Sequence, residues 1–195
     1  VSGLRGRTAR DLDHVRGLEG DGSRRYFKGM GAHLASVNPS VTFVTRTRRP
    51  PRDPVNAALS YGYGLQVIAC QGALEAVGLD PQIGFLHGTR PGRPSLALDL
   101  VEEMRPALVD RFVIGAFARR RLRAEHFARQ AGGAVYLTDD GRAAFLAMFE
   151  AFKSTEVTHP LLRQSVPRSA LPAIQATLLA RHVRGDLPAY APFVG

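Results

Sequence analysis

A single histidine, His87, stands in the run Gly84-Phe-Leu-His-Gly-Thr-Arg-Pro-Gly-Arg-Pro-Ser95, and an acidic, leucine-rich segment ending in Glu102 and Glu103 follows at once. On a helix, Asp99 and Glu102 are three positions apart and Asp99 and Glu103 four, so both pairs share a face. Hard divalent ions take oxygen ligands, and manganese also tolerates an imidazole. Glu19, set among Gly17, Gly20 and Gly22, is a further candidate ligand from a distant segment. Such a set leaves coordination positions for water and phosphate oxygens. The chemistry it suits is in-line attack of a hydroxyl or water on a phosphodiester. A plainer assignment stands beside it: His87 as an ordinary hydrogen-bonding loop residue, with Asp99 and Glu102 answering a helix dipole. The other histidines, 14, 33, 126, 159 and 182, have no comparable surroundings in the sequence.

The charge balance says what would approach such a site. Lys plus Arg number 26 against 17 acids, a formal net charge of +9, and only Lys28 and Lys153 are lysines. A guanidinium fork suits bidentate phosphate recognition, and the positive excess favours a nucleic-acid partner. Arg46, Arg48, Arg49 and Arg52 fall in one proline-rich loop, while Arg90 and Arg93 follow His87. These six are the expected phosphate contacts, with Asn56 and Tyr61 of the next helix beside them. No run of about 18 uncharged apolar residues predicts a membrane span. Cys70, the one cysteine, excludes an internal disulfide and suits a reducing, cytoplasmic compartment.

The elements that would position these groups are mostly helical. Residues 7–36 read as a helix interrupted by glycines, each costing about 0.5–1 kcal/mol in a helix interior, as if a neighbour approached near Glu19. Residues 38–54 read as a loop because Pro50, Pro51 and Pro54 forbid continuation. Asp53 caps and Pro54 starts a nearly all-apolar helix to about Val77, with Gly62 and Gly64 placed for a close helix neighbour. Ser95 is expected to cap a helix to Met104, which Pro106 then kinks or breaks before the pattern resumes over 107–121. A short extended piece is expected at 133–138 and a helix from Thr138 or Asp139. Residues 153–171 read as an exposed, mobile loop, and a last helix runs from Leu171 to about Arg184, closed by Gly185. The predicted class is all-α: a single irregular helical bundle with long loops over residues 1–195.

Several motifs occur together in order: Arg16-Gly-Leu-Glu-Gly20, Arg48-Arg-Pro-Pro-Arg-Asp-Pro-Val-Asn-Ala-Ala-Leu-Ser-Tyr-Gly-Tyr63, Gly78-Leu-Asp-Pro-Gln-Ile-Gly-Phe-Leu-His87, Arg90-Pro-Gly-Arg-Pro-Ser95 with its acidic continuation, Leu137-Thr-Asp-Asp-Gly-Arg142, and Arg184-Gly-Asp-Leu-Pro-Ala-Tyr-Ala-Pro-Phe193. Over nearly the whole chain this resembles the CRISPR-associated integrase of spacer acquisition, the first of the Cas proteins. The resemblance implies a helical catalytic domain holding Mg²⁺ or Mn²⁺ through Glu19, His87 and Glu102, with Asp99 a further acid of the same helix. It implies integration, the 3′-hydroxyl of a foreign DNA fragment attacking a repeat phosphodiester, with metal-dependent endonuclease activity as the companion reaction. It also implies double-stranded DNA, a second copy of the chain and the small second Cas protein as partners. The family's N-terminal β domain is expected to be absent from this chain, which opens on Val1. The competing expectations are a non-catalytic nucleic-acid-binding module, or fusion fragment, that keeps the fold, and a scaffold acting only through protein partners.

Overall fold

The structure, a computed structural model, describes residues 12–88 and 90–194; the side chains of residues 12–16 and of Glu19 lie outside the described set. Six α-helices carry it: α1 (Leu12–Val37), α2 (Pro54–Ala76), α3 (Ser95–Met104), α4 (Arg111–Ala118), α5 (Asp139–Lys153) and α6 (Leu171–Val183). The helical part of the expectation holds. All-α is nevertheless too simple, because two antiparallel hairpins accompany the helices. In the first, β1 (Phe127–Arg129) pairs with β2 (Val135–Leu137); in the second, β3 (Glu156–Thr158) pairs with β4 (Ser165–Pro167). The second hairpin occupies most of the stretch expected to be a loop at 153–171.

α2 is the central element, packed against α3, α6, α4 and β2. It begins where the sequence said it would. Pro54 opens the first turn and the Asp53 carboxylate accepts the Asn56 amide at 2.8 Å. Its first half joins α1, α4 and α5 in one core, where Phe145 stacks edge-on against Tyr61 and Phe112 at centroid distances of 5.1 and 4.9 Å. Its second half joins α3, α6 and the tail in another core, built on Leu74, Leu100, Met104, Leu171 and Phe193. Cys70 is fully buried there, and burial, with the Glu103 charge second, pushes its thiol up to about 12. It offers no reactive thiolate.

The glycines sort differently from expectation. α1 is continuous, and a methyl group placed on Gly17 or Gly20 would meet nothing within 4 Å among the described residues. On α2, Gly64 is equally open. Gly62 is not: a Cβ there would lie 2.7 Å from Val109 Cγ1 and 3.2 Å from Phe145 Cζ.

After α3 the chain does not break at Pro106. It enters one π turn, Pro106–Asp110, in which the Asp110 amide donates to the Arg105 carbonyl at 3.1 Å, five residues back, and then continues as α4. Proline has no amide to give, so the ladder skips a residue, and that skip turns Asp110 inward.

Gly62→Ala is therefore expected to lower the unfolding free energy by about 1–3 kcal/mol through overpacking. Gly64→Ala should leave it unchanged or raise it by about 0.5–1 kcal/mol through helix propensity. Urea unfolding of both variants checks this; equal effects would mean that α2 and Val109 are not in contact.

Candidate active site

The histidine loop is pressed onto the start of α3. A Cβ on Gly84 would fall 2.8 Å from the His87 carbonyl and from the backbone of Ser95, so only glycine fits. The first helical amides of α3 are satisfied by the loop rather than by a side chain: Leu96 and Ala97 donate to the Pro81 carbonyl at 2.8 and 3.3 Å. Ser95 is not the cap. It is already the first helical residue, fully buried, and its hydroxyl donates to the Gly88 carbonyl at 3.0 Å.

One turn into α3, Asp99 holds the loop. One carboxylate oxygen accepts the amides of Phe85 (2.6 Å) and Leu86 (3.0 Å). The other accepts the His87 amide (3.0 Å) and faces its Nδ1 at 2.7 Å. A carboxylate can only accept, so Nδ1 is the donor, and in the neutral imidazole the lone pair lies on Nε2. Four interactions fill Asp99. All four go to the histidine loop, so Asp99 orients His87 and holds residues 85–87 against α3.

The remaining acids separate. Glu102 lies on the same face of α3 as Asp99, is 30% exposed, and gives one oxygen, Oε2, to Arg105 Nη1 at 2.7 Å. Glu103 is a structural latch for the C-terminal tail. It accepts from the Phe193 amide at 2.7 Å, from Gln175 Nε2 at 2.8 Å and from the Tyr190 hydroxyl. Burial raises its pKa against those three bonds. Glu19 is on α1, but its side chain is outside the described set. Among the described residues no three His, Cys, Asp or Glu side chains form a ready metal cluster. The donors available are a free imidazole nitrogen and carboxylate oxygen, the kind that Mg²⁺ or Mn²⁺ accepts.

The expected phosphate contacts also divide. Arg46 is half-buried and spent internally, on Asn56 Oδ1 at 2.8 Å, Ser60 Oγ at 2.9 Å and the Thr47 carbonyl at 2.6 Å. Asn56 has no exposure; it accepts the Thr47 amide at 2.8 Å and donates to the Thr45 carbonyl at 2.9 Å and to Asp53 at 2.6 Å. These two fasten the basic loop to α2. Arg48 and Arg49 are exposed beside Tyr61, Tyr136 and Arg142 around a cavity of about 400 Å³. Arg52 donates to the Gly132 carbonyl. Arg90 is exposed and Arg93 half-buried, and neither has an ion pair among the described residues.

Sequence reasoning missed the groups beneath the site. Asp110 has no exposure and accepts from the Tyr26 hydroxyl at 2.8 Å and from the Tyr63 hydroxyl; Arg105 Nε lies 3.9 Å away. Burial raises the Asp110 pKa, against the two tyrosines and Arg105. The signal was there: one acid inside the apolar run Ala107-Leu-Val-Asp-Arg-Phe-Val113.

The family model described as "CRISPR associated protein Cas1" matches residues 4–151. This chain belongs to the Cas1 family. It is 50% identical over 188 residues to "CRISPR-associated endonuclease Cas1 2" of Rhodospirillum rubrum, covering 96% of this chain and 55% of that one. The fold matches a CAS1 protein from Thermotoga maritima with a TM-score of 0.81 at 28% identity, over 91% of this chain and 54% of that one. It also matches a casposase bound to integration product with a TM-score of 0.81 at 25% identity, over 92% and 50%. The chain thus spans about half the length of the Cas1 proteins it matches.

Asp99→Ala should raise amide hydrogen exchange at residues 85–87 to loop rates and cost about 2 kcal/mol in unfolding free energy. Unchanged protection there would show that the carboxylate does not hold the loop.

Proposed function

We propose that this Cas1 chain carries the catalytic half of a divalent-metal-dependent DNA endonuclease and integrase. In it, Glu19, His87 through Nε2, and Glu102 hold Mg²⁺ or Mn²⁺. The observation that carries the reading is His87 itself: its Nδ1 and its backbone amide are both committed to one oxygen of Asp99, and its other ring nitrogen is left as a ligand donor. A metal bound there supplies charge neutralisation at the phosphate and lowers the pKa of the attacking hydroxyl.

The residues do the rest. Asp99 keeps the His87 ring oriented and its tautomer fixed. Arg48 and Arg49 on one loop, and Arg90 and Arg93 on the other, take the phosphates on either side of the reacting one. Arg46 and Asn56 keep the first loop in place without touching DNA. In strand transfer the 3′-hydroxyl oxygen of the incoming DNA forms a bond to phosphorus while the bond from phosphorus to the repeat strand's own 3′-oxygen breaks. The proton leaves the attacking oxygen and ends on the departing one by way of solvent. In nuclease action water takes the place of the hydroxyl. Double-stranded DNA, a second copy of the chain and the small second Cas protein are the proposed partners, in keeping with the family. Among the described residues no helix is long and apolar enough to cross a membrane.

In a manganese-dependent strand-transfer assay on repeat DNA, using the full-length parent protein, His87→Ala is expected to lower the rate by roughly 100-fold or more, the several kcal/mol a bound metal contributes. DNA affinity should be retained. Equal activity of wild type and variant would favour a DNA-binding module that has kept the fold without catalysis.

A further inference from the structure

Four groups beneath Glu102 form one connected set. Arg105 Nη1 holds Glu102 Oε2 at 2.7 Å, and its side chain is only 12% exposed. Its guanidinium carbon lies 5.5 Å from the Phe27 ring centroid and 5.6 Å from that of Tyr63, so α1 and α2 both pack against it. Below it is Asp110, fully buried, 3.9 Å from Arg105 Nε and fixed by the Tyr26 and Tyr63 hydroxyls. Arg46, the fastener of the basic loop, covers the same Tyr63 ring at 5.3 Å. Burial works to lower the Arg105 pKa, and Glu102, Tyr63 and Asp110 together outweigh it, leaving the value above that of a free arginine.

An arginine beside a carboxylate that must bind a cation is a paradox. If it were only a nearby positive charge, it would oppose the metal and compete for its ligand. The packing argues for a different job. The guanidinium is held on two aromatic faces and over a buried acid, so it has no room to follow Glu102 about; Glu102 must come to it. With Oε2 taken, one carboxylate oxygen is left.

We infer that Arg105 is a positioning residue of the Cas1 site, which fixes Glu102 by Oε2 so that Oε1 alone is presented as ligand oxygen, and that Asp110 with Tyr26 and Tyr63 exists to fix Arg105. This rests on the assignment of Glu102 as a metal ligand. It separates two roles that a basic residue near a phosphate-processing site confuses. Arg105 touches neither metal nor DNA, whereas Arg90 and Arg93 are free for phosphate. It also accounts for a buried acid in a position that hydrophobic residues would otherwise fill.

The two views of Arg105 predict opposite signs. Removing a mere repelling charge would tighten Mn²⁺ binding. Removing the holder of a ligand would loosen it, by about 10–100-fold as for other groups behind metal ligands. The test is Mn²⁺ titration of the full-length protein, read from the electron paramagnetic resonance signal of free Mn²⁺, for wild type, His87→Ala, Arg105→Gln and Arg105→Lys. The expected result is His87-dependent binding in wild type, a roughly 10–100-fold weaker affinity in Arg105→Gln, and a loss in Arg105→Lys as well, since lysine keeps the charge but not the flat guanidinium that packs on Phe27 and Tyr63. Arg105→Lys decides the matter if the glutamine variant fails to fold. Wild-type binding that ignores His87 would overturn the metal-site assignment underneath. His87-dependent binding that is unchanged or tighter in the Arg105 variants would leave that assignment standing and overturn the positioning role.

Discussion

A carboxylate with no exposure to water, Asp110, is the constraint around which the front of this molecule is arranged. An ionised acid taken out of water costs several kcal/mol unless neighbours replace the lost solvation, and deleting one partner of such a group typically costs about 3–5 kcal/mol. Here the replacement comes from three elements: Tyr26 of α1, Tyr63 of α2, and Arg105 at the end of α3. α1 carries Glu19, α2 anchors the basic loop through Asn56, and α3 carries Asp99 and Glu102. The elements proposed to carry metal and DNA chemistry are thus the ones that must converge to bury Asp110. The single π turn after Pro106 is what aims the carboxylate into that junction.

The two ends of α3 are held by different means. At its start, Asp99 gathers three loop amides and the His87 ring, a local arrangement within a few residues of the helix. At its end, Glu103 gathers Gln175 of α6 with Tyr190 and Phe193 of the tail, a contact spanning some ninety positions. Glu102 sits between these fixed points, with one oxygen on Arg105. Three neighbouring acids therefore make three different contacts: Asp99 with the histidine loop, Glu102 with Arg105, and Glu103 with the tail that closes the second core.

What the sequence made legible follows from how local each signal was. Asp53 with Pro54, and Thr138 with Gly141, are caps written within four residues, and both helices start as expected. Ser95 misled because a serine before an apolar run resembles a cap, while the Leu96 and Ala97 amides go to the carbonyl of Pro81, far upstream, and the Leu98 amide to that of Pro94. Of the hairpins only β2, with Val135 and Leu137 both buried, falls in an extended piece that was expected; β1, β3 and β4 escaped notice because each turns one side chain inward, such as Val157 and Val166, too little for a period of two to show. Of the site, the residue types and the shared face of Asp99 and Glu102 were readable. That Asp99 is consumed by the loop, that Arg46 and Asn56 are fasteners, and that Tyr26, Tyr63, Arg105 and Asp110 lie beneath was not, since each depends on which buried partner a polar group meets.

The central claim is that His87 binds the metal directly through its free nitrogen. Electron spin echo envelope modulation of Mn²⁺ bound to the full-length protein addresses it without reference to turnover. The account predicts modulation from one directly coordinated ¹⁴N in wild type, retained in Arg105→Lys and lost in His87→Ala. Mn²⁺ held at the site with no nitrogen modulation would contradict it.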